Sequence, residues 1–315
     1  MRGRQPPRAF GTMLSSAAHS HRTLVAGAQD AGRLGKQMRS SVEQRGEWVE
    51  NRPSSGLRAL DLRELWQYRE LGGFLALRDL KVRYKQAVFG VAWALLQPVA
   101  GVLVFTVVFH RLANVPSDGI PYPLFAFVGL SVWSYHATSV TRATQSLVSN
   151  APLVTKVYFP RLLMPLAAVL PGLLDLALSL LLLGLLLVIY GTAPTWAVLT
   201  LPLWVMALVA TTFGVGLWLA ALNVQYRDVN HAITLLIQLW LFISPVAYPS
   251  SLVEGGWRYL YALNPMAGVI DGFRWALLGG PPPETAWISL GVTAVLLAGG
   301  ILYFQRTERR FADVI

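Results

Sequence analysis

Beyond residue 56 the chain alternates between short polar segments and apolar runs whose spacing is helical rather than two-fold. Leu62, Leu65 and Trp66 predict a first short helix. Leu77, Leu80 and Tyr84 recur at i, i+3 and i+7, and Arg78, Lys81 and Lys85 repeat that spacing on the adjacent stripe, with Arg83 between them. An amphipathic helix of this kind, over residues 57–86, suits a membrane interface, its apolar side inward and its cations toward headgroups. Gly72-Gly73 predicts a break within it.

Six apolar runs follow, and a run of about 20 apolar residues is what a membrane-spanning helix needs. The first, Val88 to Phe109, carries no charge and holds Pro98 as a predicted kink. After the turn-rich "RLANVPSDGIPYP" comes a more polar run, Leu124 to Val140, then a polar stretch from Thr141 to Pro160. The third, Leu162 to Tyr190, is longer than one span requires, which predicts a tilt or an interfacial start near Pro165 and Pro171. The fourth is Trp196 to Leu222, and the fifth, Ile233 to Ala247, is short and ends at Pro245 and Pro249. Between it and the sixth, Trp287 to Phe304, the segments Trp257–Leu263 and Val269–Leu278 read as two short re-entrant or interfacial helices hinged at Asn264-Pro265. The fold expected is an all-α membrane protein with six transmembrane helices, an N-terminal interfacial helix and short gate helices before the last span. Residues 1–56, rich in Gly, Ser, Arg and Gln, form a weakly ordered tail; 87–305 form the transmembrane domain and 306–315 a basic tail.

Composition agrees, with 54% hydrophobic and only 13% charged residues among 315. The net charge of +10 raises the question of nucleic acid, and its distribution answers it. Residues 1–86 hold 16 Lys/Arg against 8 Asp/Glu, while 87–315 hold 10 against 8. Charge gathered before the first span belongs beside anionic lipid, so membrane lipid and not nucleic acid is the partner indicated. With a cytoplasmic N-terminus the inside segments carry Arg78, Lys81, Arg83, Lys85, Arg142, Lys156, Arg161, Arg227, Arg306, Arg309 and Arg310, and the outside ones carry Arg111, Arg258 and Arg274. Both termini are therefore expected inside.

Catalytic chemistry is sparse. The chain has no Cys. "AGRLGKQ" (31–37) approaches a phosphate loop, but Asp30 stands where its first Gly belongs and Gln37 where its hydroxyl residue belongs. His136, a lone histidine beside Ser and Thr, reads as a hydrogen-bonded bundle residue rather than a metal ligand. Asp175, the one acid inside an apolar run, is either a functional group or a group facing a polar interior or the interface. The aromatics, Phe125 and Phe127 among them, fit either interfacial belts or a passage on which sugar rings stack.

The segments "LRDLKVRYKQAVFGVAWALLQP" (77–98), "LVSNAPLVTKVYFPRLLMPL" (147–166), "NVQYRDV" (223–229), "LWLFISPVAYP" (239–249) and "YLYALNPMAGVIDGFRWALLG" (259–279), in this order and spacing, resemble the permeases of ABC-2 type exporters. The likeness is to those exporting O-antigen, capsule and teichoic-acid polysaccharides, and it covers nearly everything after Leu60. It implies a homodimer working with two copies of a separate ATPase, which carries the ATP and Mg, to move a lipid-linked glycan outward across the bacterial inner membrane. No cofactor is then expected in this chain. The same resemblance implies an ATPase-coupling element with Asn150, Pro152, Lys156, Tyr158, Pro160 and Arg161. It also implies an external gate with Trp257, Tyr259, Asn264, Pro265 and Phe273. A path that lets a sugar polymer slide pairs aromatics with hydroxyls, and Trp133, Tyr135, Trp240, Phe242 and Tyr248 are its candidates. Competing readings are an ABC-2 exporter of a drug or small lipid, and a membrane-embedded glycosyl or acyl transferase. Reporter fusions test the topology: those at Gly119 and Gly255 should report outside and one at Asn150 inside, and an inside signal at Gly255 overturns it.

Overall fold

A computed structural model describes residues 62–85, 92–193, 195–226, 228–280, 282–308 and 311. The predicted tail 1–56 lies outside the described residues, as do Val88, Arg227, Arg309 and Arg310. Every regular element among the described residues is helical. α1 (Leu62–Gln67) leads into α2 (Arg69–Lys85). α2 runs unbroken through Gly72 and Gly73, and the interruption falls at Tyr68 instead. The glycine serves packing: a Cβ on Gly72 would stand 3.2 Å from Leu163 Cδ2. The buried side of α2 is Gly72 and Leu75, while Leu77 on the predicted apolar stripe is exposed.

α3 (Ala92–Phe105) contains Pro98 and widens into a π-helical segment, Thr106–Leu112. α4 (Tyr122–Ser149) runs nine residues past the predicted end at Val140. The polarity there does not mean loop, because Thr141 and Thr144 return their hydroxyl hydrogens to Ala137 O and Val140 O, each at 2.8 Å. α5 (Ala151–Lys156) is one short turn further on. The long third run divides at Leu170-Pro171 into α6 (Leu163–Val169) and α7 (Gly172–Tyr190), at one of the two prolines where an interfacial start was the alternative to a tilt. A 3₁₀ turn, Trp196–Thr200, precedes α8 (Leu201–Gln225). α9 is Val229–Ile243, α10 Trp257–Tyr261, α11 Pro265–Leu278 and α12 Ala286–Glu308. The hinge falls at Asn264-Pro265, where Asn264 caps α11 by accepting Met266 N–H at 3.1 Å.

Among the described residues, three stretches are long and apolar enough to cross a membrane: Leu163–Tyr190, Trp196–Gln225 and Ala286–Glu308. Leu96–Leu112 and Val229–Ile243 are apolar but shorter. α4 has 28 residues, about 42 Å of helix, with a more polar face. α8 is gripped between α4 and α12, and α11 lies against all three. Two apolar clusters form around them. One joins α4, α7, α8 and α11 through Phe125, Phe127, Leu208 and Phe273; the other joins α2, α4, α6, α8 and α12 through Leu75, Leu147, Leu163, Leu217 and Phe304.

Glycines let the helices meet. A Cβ on Gly300 would stand 2.7 Å from Gly214 O, and one on Gly272 would overlap the Trp204 ring. Gly272→Ala should therefore destabilise the fold by about 1–3 kcal/mol through overpacking, read as a lower thermal midpoint in detergent. Adding Trp204→Leu should recover part of that loss; no recovery would dissociate the defect from this contact.

Candidate functional site

The predicted interfacial helix, α2, and the acid of the third apolar run meet. α7 starts at Pro171, and Asp175 in its first turn accepts hydrogen bonds from Arg83 and Tyr84 at the end of α2. A carboxylate there also faces the positive end of the α7 dipole. Burial, and then the bond to Asp175, pushes the Tyr84 phenol up to about 12, so it remains a donor. Asp175 thus lines a polar cleft while holding the end of α2. The predicted comb of four headgroup-facing cations is divided: Lys81 and Lys85 are exposed, Arg83 is taken by Asp175, and Arg78 turns to protein. Arg78 donates to Asp79 Oδ1 from Nε at 3.0 Å and Nη2 at 2.8 Å, and to Asn150 Oδ1 at 3.0 Å. The stripe was read from spacing, and spacing says nothing of carboxylates 92 residues away.

At the same end of the bundle lies the predicted coupling element. Asn150 joins α4 to α5, donating to Ser146 O at 2.8 Å while accepting from Arg78. Pro152 opens α5. Val154 and Phe159 plug into the second apolar cluster, and between them Lys156, Val157 and Tyr158 stand exposed. Pro160 O accepts Leu163 N–H at 3.0 Å. Arg161 binds the end of α12, through its N–H to Glu308 Oε1 at 3.2 Å and its guanidinium to Glu308 O at 2.5 Å. The result is an exposed knob on a fastened base.

The five candidate path aromatics do not gather in one place. Trp133 packs edge-on to Trp240 with centroids 6.1 Å apart, and His136 meets Trp240 at 5.0 Å. Tyr135, two residues from Trp133, is on the far side of α4 in the polar cleft, as helical geometry requires. Phe242 is exposed, and Tyr248 accepts from the Tyr261 hydroxyl at 3.3 Å. Phe125 and Phe127 are buried core residues, neither belt nor path. His136 Nδ1 lies 3.0 Å from Thr212 Oγ1, a partner inside the bundle.

Of the candidate gate residues, Trp257 and Tyr259 are exposed on α10. Asn264 accepts Trp240 Nε1–H at 2.9 Å and donates to Ser244 Oγ at 3.0 Å, tying the hinge to α9. Pro265 and Phe273 are buried, and α11 is buried on nearly every side. Arg274, counted from sequence among the outside cations, is instead 5% exposed. It donates to Val246 O at 2.9 Å, lies 3.4 Å over the Phe125 ring, and stands 3.7 Å from Asp271. The Asp271–Arg274 pair at i, i+3 in an apolar helix was the available signal for it.

Over residues 72–278 the sequence matches the family described as ABC-2 type transporter. It is 35% identical to the O-antigen export system permease protein RfbA of Myxococcus xanthus, across 81% of this chain and 98% of that protein. An RfbA of Klebsiella pneumoniae is 29% identical across 76% of this chain and 92% of its own length. The polysialic acid transport protein KpsM of Escherichia coli is 24% identical across 74% and 92% respectively.

Removing one partner of a buried pair costs about 3–5 kcal/mol, because the remaining groups stay buried and unpaired. Arg274→Gln should accordingly lower membrane level and thermal midpoint sharply. The Asp271→Asn/Arg274→Met double variant should be less damaging than the two single effects added, as a double-mutant cycle will measure. Strict additivity would show that the two side chains do not act together.

Proposed function

The chain belongs to the ABC-2 type transporter family, and we propose that it is the membrane permease subunit of an exporter moving a lipid-linked, O-antigen-like polysaccharide across the bacterial inner membrane. The observation that carries this reading is the near full-length likeness to permeases named for O-antigen export. The chain itself is a multi-pass membrane protein. Beyond that, the reading has α3, α4, α6–α7, α8, α9 and α12 as six spans with both termini cytoplasmic. α4 crosses by its length, its polar face turned to protein, and α3 and α9 cross with the turns that extend them.

ATP hydrolysis belongs to a separate subunit in two copies, and the permease is a homodimer. The knob of Lys156, Val157 and Tyr158 suits docking on that ATPase: it is exposed, mixed in chemistry and fastened at both flanks, by Asn150 to α2 and by Arg161 to α12. The Trp133–Trp240 pair suits weak contact with sugar faces, which a polymer must leave as readily as it meets. Asn264, bonded to Trp240, connects that pair to the gate hinge.

Deleting the gene should leave lipid-linked glycan on the cytoplasmic side and remove it from the surface, and the wild-type chain should restore it. A chain with two residues inserted after Lys156 should reach the membrane, associate with the ATPase and permit hydrolysis without export. Normal surface glycan with that insertion removes the coupling assignment. Unaltered surface glycan in the deletion strain, with loss of efflux of a small hydrophobic compound, makes the drug-exporter reading the correct one.

A further inference from the structure

His136 is fully buried where α4, α8 and α9 come together. Its Nδ1 lies 3.0 Å from Thr212 Oγ1 on α8, and its ring meets that of Trp240 on α9 edge to face, with centroids 5.0 Å apart and planes at 87°. Trp133, three residues earlier on α4, closes another side at 5.5 Å. The Nε2 atom is buried and has no hydrogen-bond partner among the described residues. A polar nitrogen left idle inside a bundle is costly, so what lies beside it has to account for it.

The neighbouring hydroxyls tell which ring nitrogen carries the hydrogen. Thr144, Thr211 and Thr293 each return theirs to the carbonyl four residues back, at 2.8, 2.9 and 2.9 Å. The Thr212 hydroxyl bonds nothing but His136 among the described residues, so Nδ1 is the acceptor for its hydrogen. Assigned in this way, an imidazole with one N–H carries it on Nε2. The reverse tautomer leaves both the Thr212 hydrogen and the Nε2 lone pair without a partner.

No oxygen is in reach of that N–H, but an indole is. Trp240 commits its own N–H to Asn264 Oδ1 at 2.9 Å, and its perpendicular contact with His136 leaves the π face for a donor. We propose that His136 is a positioning residue: its Nε2–H points at the Trp240 indole face and, together with Asn264 on the indole nitrogen, fixes the orientation of the ring that meets Trp133. The orientation matters because α9 has few other anchors. Ile233 is its only buried residue, while Leu235, Leu236, Leu239, Phe242 and Ile243 are exposed. Trp240 is where α9 is joined both to α4 and to the hinge before α11, and a ring held from two directions keeps one rotamer. The export reading enters only in what the Trp133–Trp240 pair contacts, and the orientation of the ring does not depend on it.

The test labels the full chain, with its ATPase in nanodiscs, with 5-fluorotryptophan and identifies the Trp240 fluorine line by its absence in Trp240→Phe. Glutamine places an amide N–H near the position of Nε2, whereas asparagine places one near Nδ1, and neither has a ring to shift the line by itself. His136→Gln should keep a single Trp240 line and wild-type surface glycan. His136→Asn should divide the line between two ring orientations and lower surface glycan. Thr212→Val, which leaves every atom of the His136–Trp240 contact in place and frees the tautomer, should divide it as well and carries the test where a His136 variant does not reach the membrane. A single line in both His136→Asn and Thr212→Val overturns the proposal, as does His136→Asn matching the wild type where His136→Gln does not. A divided line with surface glycan intact overturns the positioning role. The fluorine lines are read without substrate, so these outcomes leave the export reading standing; that reading falls only if surface glycan does not depend on the gene.

Discussion

The architecture depends on how closely α8 approaches its neighbours. In lipid, apolar helices gain nothing by hiding from water, so association rests on van der Waals contact and hydrogen bonds between helices. α8 satisfies both demands. Its Gly214 lies where a Cβ would stand 2.9 Å from Leu297 N on α12, and its Gly216 where one would stand 2.7 Å from Ala143 Cβ on α4. Around these contacts Thr211 bonds Thr293 at 2.9 Å, Trp218 donates to Leu296 O at 3.2 Å, and Asn223 donates to Thr144 O at 3.0 Å. Three helices are thereby fixed as one block. α11 is hung on that block by Trp204 against Gly272 and by Ser289, which accepts Gly268 N–H at 3.2 Å and donates to Ala262 O at 2.8 Å.

The sequence made the apolar runs, the Asn264-Pro265 hinge and the divided third run legible, because length, hydropathy and proline act locally. It misled where a residue's role is set by something distant. Gly72-Gly73 has the local signature of a break, yet Leu163 on another helix makes Gly72 a packing position. Arg274 counts as one more outside cation until Phe125 and Val246 are brought around it. The polar residues of α4 after Val140 resemble a loop, but their hydroxyls turn back onto their own helix. Of the candidate site, the residues assigned to coupling stay together because they are one continuous segment, while the path aromatics, drawn from two distant segments, scatter: Trp133 meets Trp240, Tyr135 points to the other side of α4, and Phe242 is exposed.

α4 connects these regions in a manner that bears on mechanism. Its first turn holds Phe125, under the Arg274 guanidinium of α11, and its end is Asn150, bonded to Arg78 of α2. Its middle carries Trp133 and His136 toward Trp240 on one side and Ser131, Ser134 and Tyr135 toward the cleft on the other. A helix of 28 residues bonded to α8 through His136 and Thr144 moves as a rod rather than bending locally. A displacement at Asn150 would therefore be carried into the whole of α4 and, through its bonds to α8, into the block it belongs to. It reaches Phe125 and Arg274 about 40 Å away without any intermediate needing to deform. Arg274, buried against Phe125 and bonded to Val246 O, is the contact through which α4 and α11 are held together there.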